Sequence, residues 1–362
     1  MGNLYSTRGL FLAKGRPFSM RYIQSLLLLF LLSACSRVQT VNLTEHRFNS
    51  YPKRIVWLQV AGLAEEHVAM LRFNRTSSKI RSPFEMMTCL GKSWSYNFYT
   101  LRPKPEDSFL GQLLGNKNIA GSCDDFNLKP IWRVLRKAGY QTALFESGGK
   151  KSGIGRSLQC GQQIRDDFLK GLTVWKMEER PSVDTKQFHY QEQLSIGSGE
   201  IFYDKSCHDG GCFSSIYGNV SSIFQQYSQQ FHRAYFLVIR DFSYLAALRE
   251  HKIGKAKEIL LDLEKVATTL LNESARDPNM LVLVSSAGAF NLEFPLAGKS
   301  WEEFEKTGKN VLFKQQSLLA PVMAHGAFAE NFCGFFEESE ILNRMFWDKS
   351  RRSININLFN PF

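Results

Sequence analysis

Short apolar runs closed by turn residues mark out the chain. The clearest are Arg54–Val60 (RIVWLQV), Tyr140–Phe145, Ala234–Ile239 (AYFLVI) and Leu281–Val284, the last between Asp277-Pro278-Asn279 and Gly288. Runs of this length without polar alternation predict strands buried on both faces. Between them the periodicity changes to that of a helix. In Gly254–Asn272, Ile259, Leu260, Leu263, Val266, Ala267 and Leu270 recur at steps of three and four, while Lys255, Lys257, Glu258 and Lys265 fall on the other side. Glu65–Phe73 and Leu128–Ala138 read the same way, the second capped by Asn127 and stopped by Gly139. Leu319–Ala324 predicts a further strand and Ile341–Trp347 a closing helix. This alternation implies an α/β fold with a largely parallel central sheet and helices on both faces.

Other stretches are less regular. Ser82-Pro83-Phe84-Glu85 has the form of a capping box and predicts a helix through Met86, Met87 and Leu90 to Gly91. Trp94–Cys123 reads as irregular. Gly153–Ser228, polar and broken by glycine, reads as an insertion or cap. Phosphate-loop and dinucleotide glycine patterns fail throughout.

The ends and the bulk numbers add a cellular context. Of 362 residues 44% are hydrophobic and 13% aromatic, which excludes a disordered chain. The formal charge of +11 comes from basic residues scattered along the sequence, which fits a solvated surface and not a specific nucleic-acid interface. Arg21, the apolar run Leu26–Leu32 and Leu32-Ser33-Ala34-Cys35 form a secretory signal over residues 1–35, with Met20 as an alternative start. The Leu-Ser-Ala-Cys ending resembles a bacterial lipobox, in which Cys35 carries the lipid. Residues 36–53 then read as a tether and 54–350 as the domain. Ser36 after the cysteine implies an outer-membrane lipoprotein facing the periplasm or the cell surface. Six further cysteines suit disulfides in an oxidising compartment, and Cys207-His-Asp-Gly-Gly-Cys212 is the best local pair because its glycines let the chain turn back.

In an open α/β sheet, chemistry is expected just beyond the carboxyl ends of the strands. The residues there are Ser285, Ser286 and Gly288, none of which carries a charge or binds a metal strongly. Several segments in chain order nevertheless resemble the alkaline phosphatase superfamily: Arg54–Leu63, Pro130–Leu144, Met280–Phe290, and Ala320–Gly326 with Glu330–Gly334. The resemblance implies a three-layer sandwich and, in the family, two zinc ions and one magnesium ion that activate a serine nucleophile.

This sequence departs from the family at the ligands. Ala61 stands in place of the first-strand aspartate. Ser285 and Ser286 replace an aspartate-histidine pair, Gly288 replaces a second histidine, and Gln315 lies near the last zinc histidine. Arg240-Asp241 lacks the Asp-x-x-x-His pattern. Ser82 falls at the nucleophile position, preceded by Arg81 instead of aspartate. The expectation is therefore a non-catalytic envelope protein without metal or other cofactor. Arg81 and Ser82 would hold an anionic ligand, or the surface would meet an envelope partner. The alternatives are a hydrolase of phosphate or sulfate esters with altered or metal-free chemistry, and a purely structural envelope protein. His325, in an apolar segment, is expected to be structural.

Overall fold

The computed structural model describes residues 51–68, 81–149, 153–230, 234–295, 298–307, 309 and 311–347. The signal segment, Cys35, most of the tether and the second half of the helix expected over 65–73 lie outside these residues. The apolar runs form strands because each satisfies its backbone groups laterally and buries side chains on both faces. In chain order the strands are β1 (Arg54–Ala61), β2 (Cys89–Trp94), β3 (Gln141–Ser147), β4 (Thr173–Met177), β5 (Gln187–Phe188), β6 (Ile201–Asp204), β7 (Cys207–His208), β8 (Gly211–Cys212), β9 (Tyr235–Asp241), β10 (Met280–Ala287), β11 (Phe290–Glu293), β12 (Leu312–Gln316), β13 (Leu319–Gly326) and β14 (Gly334–Glu337). The α-helices are α1 (Pro105–Leu114), α2 (Ile131–Lys137), α3 (Ile154–Ser157), α4 (Gln162–Leu169), α5 (Ile216–Gln230), α6 (Ser243–Arg249), α7 (Ile253–Arg276), α8 (Lys299–Thr307) and α9 (Ile341–Arg344).

Ten strands make one sheet in the order β14-β2-β13-β10-β1-β9-β3-β4-β6-β5. Only β13 runs against the rest, pairing antiparallel with β10 and β2. Side chains alternate between two cores. Val56, Leu58, Val60, Leu237 and Val282 pack on one face with Leu260, Leu263, Val266 and Leu270 of α7. Ile55, Trp57, Phe236, Val238 and Leu283 pack on the other with Leu110 and Leu113 of α1 and Ile131 and Trp132 of α2. Each such fully buried aliphatic side chain contributes about 1.5–3 kcal/mol.

Three expectations need correction. The helix predicted after Ser82 is one 3-10 turn, Pro83–Met86, and the chain then enters β2. Pairing of β2 with β13 and β14, and a disulfide from Cys89 to Cys333, outweigh the local helix signal. The stretch expected to be irregular holds the ten-residue helix α1. Finally, part of 153–228 lies in the sheet and not on it, because β4, β6 and β5 extend it beyond β3. Cys207 and Cys212 pair as expected and close the β7–β8 hairpin, and Cys123 pairs with Cys160.

Candidate functional site

Near the carboxyl ends of the central strands, five polar residues occupy a single row. Ser285 is in register with Gln59, Gln59 with Arg240, Arg240 with Glu146, and Glu146 with Lys176. In adjacent parallel strands, residues in register point to the same face, so the five side chains lie edge to edge. Arg240 is 3% exposed and the other four are 0%.

Burial on this scale demands partners. Arg240 donates from Nε to Gln59 Oε1 at 2.9 Å and from Nη1 to Glu146 Oε2 at 3.4 Å. Glu146 also accepts the Ile154 N–H at 3.1 Å. Lys176 Nζ lies 3.4 Å from Glu146 and 2.9 Å from Glu178. Burial alone would lower the Lys176 ammonium, but Glu146 and Glu178 outweigh it and hold the group above its usual value. Burial does lower the Arg240 guanidinium, against the pull of Glu146. Two cations and two carboxylates thus balance within the protein.

Helix α1 closes the row from above. Its Gln112 accepts from Ser285 Oγ at 2.9 Å and from Gln59 Nε2 at 3.3 Å, and donates to the Ser286 carbonyl at 3.1 Å. Trp57 Nε1 donates to Ser285 Oγ at 2.8 Å. Beyond Gln112 lies Glu338, which accepts from Ser95 Oγ at 3.0 Å. Burial raises the Glu338 carboxyl to about 7, despite the hydrogen bonds from Ser95 and Gln112.

One turn before Gln112, Phe109 fills the mouth of β1, β9 and β10. It packs on Ala61, Ala287, Phe242 and Leu245, and its ring meets Phe242 edge to face at 5.7 Å. Pro105, the first residue of α1, sits over Gly288. A Cβ at 288 would come within 2.8 Å of Pro105 Cγ, and φ is +62° there. Any side chain at 288 would therefore be strained and obstructed.

Two or three strands away the rim stays open. A cavity of about 790 Å³ lies beyond β3 and β4, with Ser147, Gly148 and Gly149 on one wall and α7 on another.

No protein-family model and no curated protein matches the sequence. Solved structures do match in shape. The alkaline phosphatase from the Antarctic bacterium TAB5 superposes with a TM-score of 0.62 at 14% identity, over 82% of this chain and 97% of that one. The cold-active enzyme from a psychrophilic Shewanella gives 0.63 at 12%, covering 81% and 98%. The Thermus thermophilus enzyme gives 0.64 at 12%, covering 82% and 91%. This chain has the alkaline phosphatase fold.

Against the alkaline phosphatase pattern, the sequence-derived positions fall as follows. Ala61, Ser285 and Ser286 meet at the mouth of β1 and β10, all 0% exposed, with Gly288 just beyond. Gln315 lies on β12, which pairs with β11 beside that mouth. Ser82 is elsewhere: its hydroxyl is fully buried and donates to Glu264 of α7. Arg81 is exposed. The Ser82 hydroxyl is thus spent on a carboxylate out of reach of solvent, while Arg81 beside it is at the surface. Asp241, next to Arg240, caps α6 by accepting the Ser243 and Tyr244 N–H groups at 3.2 and 2.9 Å. His325 is half-buried, with Nδ1 2.8 Å from Thr88 Oγ1.

Among the described residues no three His, Cys, Asp or Glu side chains converge as metal ligands. At the mouth itself, the methyls, hydroxyls and packed ring do not fit two zinc ions and a magnesium ion, which need charged oxygen and imidazole donors. Sequence reasoning missed Gln59, Gln112, Lys176, Phe109 and Glu338. The available signal was that several apolar strand runs end on a polar residue.

Proposed function

We propose that this chain is an exported, non-catalytic binding protein built on the alkaline phosphatase fold and carried on the membrane by a lipid at Cys35. The observation that supports this most is Phe109. The position where the fold would carry out phosphoryl transfer is packed with an aromatic ring, and the nearby charges are matched to each other. A serine nucleophile must be reachable by its substrate, and the Ser82 hydroxyl is fully buried against the Glu264 carboxylate. The three disulfides fit the oxidising compartment that an export signal implies.

The test is direct. Purified protein is assayed on phosphate monoesters, diesters and sulfate esters, with and without added zinc and magnesium, alongside metal analysis. The expected result is no turnover above buffer and no stoichiometric metal. Turnover that disappears in Ser82→Ala would overturn the reading. The anchor is tested separately: mass spectrometry should find a lipid on Cys35, and Cys35→Ser should release the protein from membranes.

A further inference from the structure

The loop between β2 and α1 holds apolar side chains out into solvent. Phe98 is 71% exposed, Tyr99 60% and Leu101 66%, and Trp94 at the end of β2 is 41% exposed. The loop that displays them is tied down on both sides. Asn97 Oδ1 accepts the N–H groups of Tyr99 and Thr100, each at 2.9 Å, and Asn97 Nδ2 donates to the Ile119 carbonyl at 2.9 Å. The Phe98 N–H donates to the Lys117 carbonyl at 3.1 Å, and the Tyr99 hydroxyl to Asn118 Oδ1 at 2.7 Å. Further on, Arg102 Nε donates to the Gln316 carbonyl at 2.9 Å, and Gln316 Nε2 to the Pro103 carbonyl at 3.0 Å. These polar groups are spent inward, and a protruding apolar tip is left for a partner.

Three features of this loop point to a bilayer surface. Trp94–Lys104 carries Arg102 and Lys104, both exposed, and no carboxylate, so its charge complements anionic headgroups. Tyr99 and Trp94 join an apolar ring to a polar tip, a combination that favours the headgroup level. A tip of three side chains is also small beside the roughly 800 Å² per partner of a stable protein contact. The chain can reach as well. The loop follows the carboxyl end of β2, which runs parallel to β1 three strands away, so strand rise and spacing put it roughly 30 Å from Tyr51. Residues 36–50 lie between Cys35 and Tyr51 and span up to about 50 Å when extended.

We infer that this loop dips into an anionic bilayer surface, with Phe98, Tyr99 and Leu101 between the headgroups and Arg102 and Lys104 against the lipid phosphates. The inference rests on the proposed function only in that the chain sits at a membrane. The loop is then a second contact beside the lipid at Cys35, and two weak contacts on one body hold far better than either alone. The rim that bears the closed mouth faces the bilayer in this arrangement, because the loop runs directly into α1 at Pro105.

A polarity-sensitive dye on the full chain tests it. Cys35→Ser leaves the other six cysteines in disulfides, so Thr100→Cys at the tip or Lys137→Cys at the opposite end of the sheet gives one reactive thiol. The probes are vesicles of phosphatidylcholine alone and of phosphatidylcholine with phosphatidylglycerol. The dye at 100 should shift to the blue on the mixed vesicles, and the dye at 137 should not. Phe98→Ser with Leu101→Ser, both exposed positions, should weaken the vesicle titration at least tenfold without altering Tm. Lys104→Gln should weaken it about fivefold on the mixed vesicles and leave phosphatidylcholine alone unchanged. The inference is overturned if the dye at 100 does not shift, if the dye at 137 shifts as much, or if the double variant binds as the parent does. Sedimentation that shows a dimer lost in the double variant, with no dye shift on vesicles, would overturn it in favour of a second copy. Because Cys35 is replaced throughout, a missing lipid at Cys35 would sink the anchor without touching the loop, and a missing dye shift would sink the loop alone.

Discussion

Replacing Glu146 with Gln removes the carboxylate shared by Arg240 and Lys176 while keeping its volume. Both cations lie 3.4 Å from it, and all three side chains are at most 3% exposed. At an effective dielectric constant of about 20, each contact is worth roughly 5 kcal/mol of Coulomb attraction before desolvation is subtracted. The net cost of breaking a buried pair is lower, about 3–5 kcal/mol, because the carboxylate also lost its hydration on folding. Lys176 keeps Glu178 at 2.9 Å and Arg240 keeps Gln59 at 2.9 Å, so the expected loss lies toward the lower end, near 3 kcal/mol. Against a total stability of about 5–15 kcal/mol this is a large fraction. Urea unfolding at pH 7, followed by fluorescence of the buried Trp57, Trp132 and Trp175, would read it as a fall in midpoint at constant slope. Glu146→Gln combined with Arg240→Met should recover much of the loss, since one stranded cation is removed. A single-variant loss below about 1 kcal/mol, or a double variant no better than the single, would refute the charge-balanced row.

Three further outcomes follow from the same geometry. Burial holds the Glu338 carboxyl at about 7 instead of its ordinary 4.5, so the unfolded chain ionises first and the protein loses stability as pH rises through that window, by on the order of 3 kcal/mol; Glu338→Gln, which cannot ionise, should gain on the wild type between pH 4.5 and 8, and a pH-independent gap in urea titrations would contradict this. Phe109→Ala should cost about 3–5 kcal/mol by emptying the mouth, measured by urea unfolding, and a cost under 1 kcal/mol would mean the ring is not packed there. Gly288→His should lower Tm, because of its positive φ and Pro105 overhead, and should bring no zinc binding in calorimetry; tight zinc binding would show that the mouth can open.

Much of the fold was legible because β1, β3, β9 and β10 are apolar runs that no other element explains. Two parts were not. Helix α1 (PEDSFLGQLL) begins with proline and two acids, a fair helix start, but Gly111 and the flanking prolines disguised it as loop. Strand β2 (CLGKSW) has weak strand character of its own and forms because β13 and β14 flank it. At the site, the small, uncharged side chains of Ala61, Ser285, Ser286 and Gly288 could be read directly. The polar row beside them could not. Gln59, Glu146 and Arg240 each look like the ordinary polar end of a buried strand, and only the pairing register reveals that they touch. Register is a property of neighbouring strands, and a single strand does not contain it.

The row also shows how carboxylates buried at the strand ends are held by cations of the chain itself. Several carboxylates crowded at strand ends need cations between them, and in a metal-dependent fold the ions supply these. Removing ions alone would leave repelling, desolvated charges. Here the strand ends at 61, 287 and 288 are neutral and small, and the remaining carboxylates at 146 and 178 are met by Arg240 and Lys176 from within the chain. An aspartate placed at position 61 would face Phe109, Phe242 and Leu245, a burial that costs several kcal/mol unless Arg240, which lies 5.5 Å from the Phe109 ring centre, turned from Glu146 to meet it. Adding carboxylates at this mouth would therefore require the Phe109 packing to change with them.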